Sequence, residues 1–173
     1  MRDLWVFGYG SLMWRPGFDF KAAVPALLYG AHRALCVYSW VHRGTQERPG
    51  LVLGLDQGGS CRGVAFKVAA KNASSVVEYL REREQVTMVY KEAYRPIRLL
   101  AGDGTSQTAL CFVVDRNHDQ YAGVLDADHQ ARLVRQGRGQ SGENPDYVFN
   151  TVTHLEELGV HDTNLLRVRA LLK

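Results

Sequence analysis

The chain has 173 residues, 46% hydrophobic and 23% charged, with 17 glycines and 5 prolines. That is enough for one domain with a real core, and it argues against disorder, a fibre or a scaffold that depends on disulfides. The 21 basic and 18 acidic residues are spread along the chain for a net charge of +3, with no basic run to serve as a nucleic-acid footprint.

Taken in chain order, the first predicted strand is 4–9, built on the apolar run Leu4 to Phe7. It meets Gly8-Tyr9-Gly10-Ser11 and resumes with Leu12, Met13 and Trp14. Two glycines one residue apart at a strand end mean a tight backbone, or one that something else approaches closely. The stretch fits no dinucleotide fingerprint, because Met13 stands where a third glycine belongs and Pro16 interrupts the helix that should follow. No Gly-Lys-Ser/Thr follows for a P-loop either. Two readings stay open: an anion-binding nest of backbone N–H groups from Tyr9 to Leu12, or a bulge in a core strand.

A second strand is predicted over Ala26–Trp40, with a bulge at Gly30. Leu51–Leu55 and Cys61–Val68 read as a hairpin across Asp56-Gln57-Gly58-Gly59-Ser60. Thr87–Leu100 and Gln107–Asp115 read as another, across Gly102-Asp103-Gly104, with Pro96 marking an edge strand or an interruption. Helices are predicted from Asn72 to about Gln85, from Asp126 or Asp128 to Gly137, from an Asn144 cap with Pro145 at the first helical position to Gly159, and after Asp162. Gly137–Gly142 reads as a loop. Paired strands with helices between and after them predict an α+β fold: one domain over 1–173, with a largely antiparallel, strongly curved sheet or small barrel and helices outside.

The helix ASSVVEYLREREQ carries a carboxylate where an apolar residue is expected. At about 100° per residue, Val77, Leu80 and Glu84 fall within roughly 60° of one another, and Val76 extends the stripe. Either Glu84 frays outward in the last turn to meet water or an arginine, or it points into a partly desolvated cleft as a proton acceptor of raised pKa. The helix wheel does not choose between them.

Cys36, Cys61 and Cys111 are odd in number and widely spaced in apolar stretches, so they read as small buried hydrophobes. The six histidines show no metal-ligand spacing and read as structural or surface residues. Arg2 and Asp3 followed by a short, glycine-broken apolar run do not read as a signal peptide, and no stretch reaches transmembrane length. The expected compartment is a reducing cytosol, and the oligomeric state is left open between a monomer and a weak dimer.

Several stretches together resemble the ChaC-type gamma-glutamylcyclotransferases. They are Val6-Phe7-Gly8-Tyr9-Gly10-Ser11-Leu12-Met13-Trp14, Arg48-Pro49-Gly50, Gly63-Val64-Ala65-Phe66, Tyr79-Leu80, Arg83-Glu84, and Ser141-Gly142-Glu143-Asn144-Pro145-Asp146-Tyr147-Val148-Phe149. The resemblance implies a gamma-glutamylcyclotransferase-like fold, a small curved barrel with flanking helices. It implies glutathione as substrate, split to 5-oxoproline and cysteinylglycine, with no cofactor, metal, nucleic acid or membrane partner. Within it, Val6, Phe7, Gly8, Tyr9, Gly10, Ser11 and Leu12 hold the gamma-glutamyl group, Glu84 is the proton acceptor and Tyr147 lines the pocket. Arg48 is read as a surface residue rather than a substrate contact. Gln85 to Tyr90 lacks the two glycines that animal-type relatives place after the Arg-Glu pair, and Ser75 stands near a position that is acidic in some relatives. Two rivals follow: the same chemistry on other gamma-glutamyl amino acids or amines, and a non-catalytic gamma-glutamyl-binding module.

Overall fold

The computed structural model describes residues 2–85 and 88–173. They group into two compact units: the chain up to Arg33 with Leu55–Asp115, and Ala34–Gly54 with Arg116–Lys173. Five strands close a barrel in the order β1-β3-β2-β4-β5, where β1 is Leu4–Gly8, β2 Ala22–Ser39, β3 Gly50–Val68, β4 Tyr90–Leu99 and β5 Ser106–Val114. β1 pairs antiparallel with β3, and its one parallel join, Val6 opposite Leu110 of β5, makes the barrel mixed. The α+β barrel expected from the sequence is therefore the observed architecture.

In the first unit, Val6, Leu12, Phe66, Val68, Leu110 and Phe112 meet Val76 and Leu80 of α1, Ala73–Glu84, in one buried cluster. Phe7 is buried as well, which explains why β1 is an apolar run rather than an alternation. Helix α1 is held by that apolar stripe, with Val77 and Tyr79 partly buried at its margin. Cutting Leu80 to Ala would cost about 2–5 kcal/mol by lost burial and the cavity left behind. Asn72 takes the N-cap position without a side-chain capping bond, and its carbonyl instead accepts from Ser75 Oγ at 3.0 Å.

The hairpin expected across Asp56–Ser60 is not formed. β3 runs unbroken through it, with Gly58 and Gly59 at φ +97° and +73° bending one long strand. His32 Nδ1–H of β2 donates to Gly58 O at 2.9 Å, so the bend is bonded to the adjacent strand. Gly30 of β2, at φ +89°, gives the other long strand its expected irregularity. The hairpin of β4 and β5 is present in register, Tyr90 opposite Val114 to Arg98 opposite Ser106, while the expected first residue Thr87 lies outside the described residues. Pro96 is on an interior strand, but β4 pairs with β2 only over Ile97–Leu99, so the proline falls just beyond the two-sided ladder.

The second unit holds the remaining ends of β2 and β3 and three helices, α2 Ala127–Gln136, α3 Asn144–Glu157 and α4 Thr163–Leu172. Asp126 and Asp162 cap α2 and α4 by accepting from the N–H of His129 and Leu165, at 2.8 and 3.0 Å. Gly137–Gly142 is not a free loop: Arg138–Gly139 (β6) and Gly142–Glu143 (β7) form a two-residue ribbon. The cap of α3 is Glu143, which puts Asn144 inside the helix. There its buried amide bonds both backbone groups of Leu51, accepting from N–H at 2.8 Å and donating to the carbonyl at 2.9 Å. Asn144 thus serves as a partner for β3 rather than as a cap. No helix among the described residues is long and apolar enough to cross a membrane.

Candidate active site

The site builds outward from the end of β1. After Gly8 the chain enters a 3-10 turn, Ser11–Met13, opened by Met13 N–H donating to Gly10 O at 2.9 Å and continued by Arg15 N–H to Ser11 O at 2.8 Å. The N–H groups of Ser11 and Leu12 precede the first of these bonds and so have no acceptor within the turn. Gly8 is required by crowding from this turn, since a Cβ there would stand 2.9 Å from Leu12 Cβ. Gly63 on β3 is equally fixed, because its Cβ would stand 2.3 Å from Gly8 O. At Gly8, then, what approaches the backbone closely is the protein's own turn.

Val6, Phe7 and Leu12 keep their side chains in the core, so these three present only backbone to a ligand. Tyr9 and Gly10 are buried too, whereas Ser11 is exposed. Two arginines that the sequence reading left without a role secure the turn. Arg33, buried on β2, donates through Nε to Tyr9 O and through Nη2 to Arg62 O, both at 2.7 Å. Arg83, in the last turn of α1, donates to Ser11 Oγ at 3.0 Å, Arg15 O at 2.6 Å, Pro16 O at 3.1 Å and the Tyr79 hydroxyl at 3.1 Å. Its only signal in the sequence is its place in the Arg83-Glu84 pair.

Glu84 ends α1 with its side chain 17% exposed. Its Oε1 lies 3.7 Å from Arg83 Nε, so the carboxylate does meet an arginine, as the first of the two sequence readings requires. It is nevertheless largely withdrawn from water, as the second requires. Burial raises its pKa above the ordinary 4.5, against the opposing pull of the Arg83 charge. A carboxylate in that state is suited to take a proton at neutral pH and hand it on. Through Arg83, the Glu84 turn and the glycine turn are tied together within the first unit.

Tyr147 belongs to α3 in the second unit, where its hydroxyl accepts from Leu53 N–H at 3.0 Å and the Arg43 guanidinium stands 5.8 Å from its ring centroid. Arg48 is exposed in a turn closed by Thr45 N–H to Arg48 O. The three cysteines are buried and unbridged, and burial pushes the Cys111 thiol up to about 12, which leaves it protonated and a poor nucleophile. Among the described residues no group of three His, Cys, Asp or Glu is placed to hold a metal ion. A cleft of about 270 Å³ opens along the first half of α1, between Asn72, Ser75 and Tyr79 and the segment Gly17–Asp19.

A small closed barrel of this kind is shared with a solved structure, that of a yeast gamma-glutamyl cyclotransferase specific to glutathione. It superposes with a TM-score of 0.87 at 20% identity, over 99% of this chain and 96% of that one. Sequence relatives carry the assignment further. The chain is 34% identical to the glutathione-specific gamma-glutamylcyclotransferase of Escherichia coli strain K12, covering 94% of this chain and 69% of that protein. It is 33% identical to the enzyme of the same name from Schizosaccharomyces pombe, covering 90% and 84%. Residues 4–173 match the family described as ChaC-like protein, and the chain belongs to that family.

Proposed function

We propose that this protein is a glutathione-specific gamma-glutamylcyclotransferase, converting glutathione to 5-oxoproline and cysteinylglycine with Glu84 as the proton acceptor. The observation that carries the site is the Arg83 guanidinium, which bonds Ser11, Arg15 and Pro16 while its neighbour Glu84 supplies a largely buried carboxylate. This tie supports reading the substrate loop and the base as one site within the first unit.

The reaction is a ring closure within the substrate. The alpha-amine attacks the gamma-carbonyl, a C–N bond forms to close the five-membered lactam, and the amide C–N bond to cysteine breaks. At neutral pH the amine begins as an ammonium, which cannot attack. Glu84 takes a proton from it, and its conjugate acid delivers a proton to the departing nitrogen. The ammonium loses two protons in becoming the lactam N–H, and the departing nitrogen gains two in becoming an ammonium, so a single shuttling carboxylate balances the step. Backbone N–H groups of the glycine turn stabilise the oxyanion of the tetrahedral intermediate, an effect typically of about 3–4 kcal/mol per donor in other enzymes. Holding the substrate folded on itself supplies orientation. Val6, Phe7, Gly8, Tyr9, Gly10, Ser11 and Leu12 form the wall against the gamma-glutamyl group.

We place the reaction in the cytoplasm, with residues 1–173 acting as one domain that is a monomer or weak dimer and has no nucleic-acid partner. The specificity is tested by initial rates on glutathione beside gamma-glutamyl amino acids and gamma-glutamyl amines. Faster turnover of glutathione is expected. Equal or faster turnover of the others would move the assignment to a broader cyclotransferase, and binding without turnover of any would make the protein a gamma-glutamyl-binding module.

A further inference from the structure

We infer that Arg83 is a positioning residue for the reaction, a staple that holds the substrate-binding turn closed against the helix turn bearing Glu84. The inference rests on the reading of the glycine turn and Glu84 as one site. Ser11 opens the 3-10 turn, and Arg15 and Pro16 leave it. One guanidinium bonds both ends: Nη2 to Ser11 Oγ at 3.0 Å, and Nη1 to the carbonyls of Arg15 at 2.6 Å and Pro16 at 3.1 Å. The same Nη1 reaches the Tyr79 hydroxyl at 3.1 Å, one helical turn back on α1. That hydroxyl lies where a Cβ on Gly17 would collide with it at 2.1 Å, so the exit of the turn is packed directly onto the helix. Gly17 is at φ +77°, which suits glycine and turns the chain away after Pro16.

This arrangement needs arginine. A planar fork with five donors can serve a hydroxyl and two carbonyls at once, whereas a lysine ammonium is a compact charge that cannot span them. The Arg83 side chain is 21% exposed, with its bonds to Pro16 and Tyr79 part-buried and those to Ser11 and Arg15 at the surface. Acceptors placed 67 to 72 residues away in sequence make Arg83 a tertiary tie rather than a local cap. By holding Ser11 Oγ it also fixes the side chain of the one exposed residue among Val6 to Leu12.

The test compares wild type, Arg83→Met and Arg83→Lys as the full chain, with two separate readouts. The first is amide hydrogen exchange, which needs no substrate. Met13 and Arg15 amides, which close the turn, are expected to exchange at least about tenfold faster in both variants, with the amides of the β4–β5 hairpin unchanged. Unchanged exchange in the turn would overturn the staple. The second is steady-state kinetics on glutathione at a temperature where all three proteins are folded. Arg83→Met is expected to raise KM about tenfold and lower kcat about tenfold, in line with the roughly hundredfold cost of misplacing a positioning group. Arg83→Lys is expected to retain the KM defect. A residue that served stability alone would lower Tm and leave KM and kcat of the folded protein at wild-type values, and that result would also overturn the inference. Failure of the wild type to turn over glutathione would count against the proposed function, while exchange would still decide whether the staple exists.

Discussion

Two glycine-bearing stretches of the chain, Gly8 to Ser11 and Gly137 to Gly142, behave differently. In the second unit, Gly137 and Gly139 are packed against their own chain: a Cβ would stand 2.4 Å from Arg43 O in one case and 2.2 Å from Val41 O in the other. Gln140 N–H and Ser141 N–H donate to Val41 O and His42 O, both at 2.8 Å, and Asn144 N–H donates to Gly137 O at 2.9 Å. The ribbon is thereby sewn onto residues 41–43, and its glycines make that possible. In the first unit, Gly8 is crowded in the same way, but two residues further on the chain turns and leaves Ser11 and Leu12 N–H without an acceptor in the turn. Arginine side chains bond this turn, and the helix turn bearing a buried carboxylate is tied to it. Close glycine packing is common to both stretches, whereas chemistry needs unspent donors and a charged group held beside them.

That contrast can be broken by substitution. Glu84→Gln is expected to fold normally and lose about 10³ in kcat, within the range general-base removal produces, and retained turnover would remove Glu84 from the mechanism. Asn144→Ala, in the other stretch, leaves Leu51 N–H and its carbonyl buried without their partners. Denaturant unfolding should show a loss of about 3 kcal/mol, while kcat/KM per folded molecule stays within about twofold of wild type. A selective loss of activity there would mean that the second stretch does more than hold structure. Gly10→Val should lower kcat/KM about thirtyfold, or roughly 2 kcal/mol of transition-state stabilisation, with a smaller effect on Tm. Equal losses of folding and activity would make the first stretch merely structural as well.

The smallest expected effect is on pH dependence. Glu84 has a native pKa raised above 4.5 by burial, so the native state holds its proton more tightly than the unfolded state does. Its contribution to stability is fully present below pH 4.5 and is lost as pH rises through the native value. Glu84→Gln should therefore be slightly more stable than wild type at pH 7, with the difference closing on acidification. A difference that widens in acid would contradict the sign. In catalysis the same shift places the acid limb of kcat/KM above the ordinary glutamate range, since the base must be ionised to act.

Features governed by local chemistry were legible in the sequence. Asp126, one of the two starts the sequence predicts for α2, and Asp162, after which it predicts α4, cap their helices, because an aspartate needs only an N–H three residues on. The apolar stripe of α1 gave both the buried face and the misplaced Glu84. What failed were features settled by partners far away in sequence. Gly58-Gly59 has the composition of a turn, yet pairing on a 19-residue strand makes it a bend within β3. Asn144-Pro145 has the composition of a cap, yet two bonds to Leu51, 93 residues away, draw the asparagine into the helix. Arg33 carried no periodic or motif signal and Arg83 only its place beside Glu84, since the turn and strand groups they bond lie 24 to 72 residues away.

The central claim is that the first unit closes a gamma-glutamyl group on itself, and the products test it most directly. Purified protein incubated with glutathione should yield 5-oxoproline and cysteinylglycine in equal amounts, with no free glutamate. Free glutamate in place of 5-oxoproline would mean attack by water rather than by the substrate's own amine, and no product at all would contradict the assignment of glutathione.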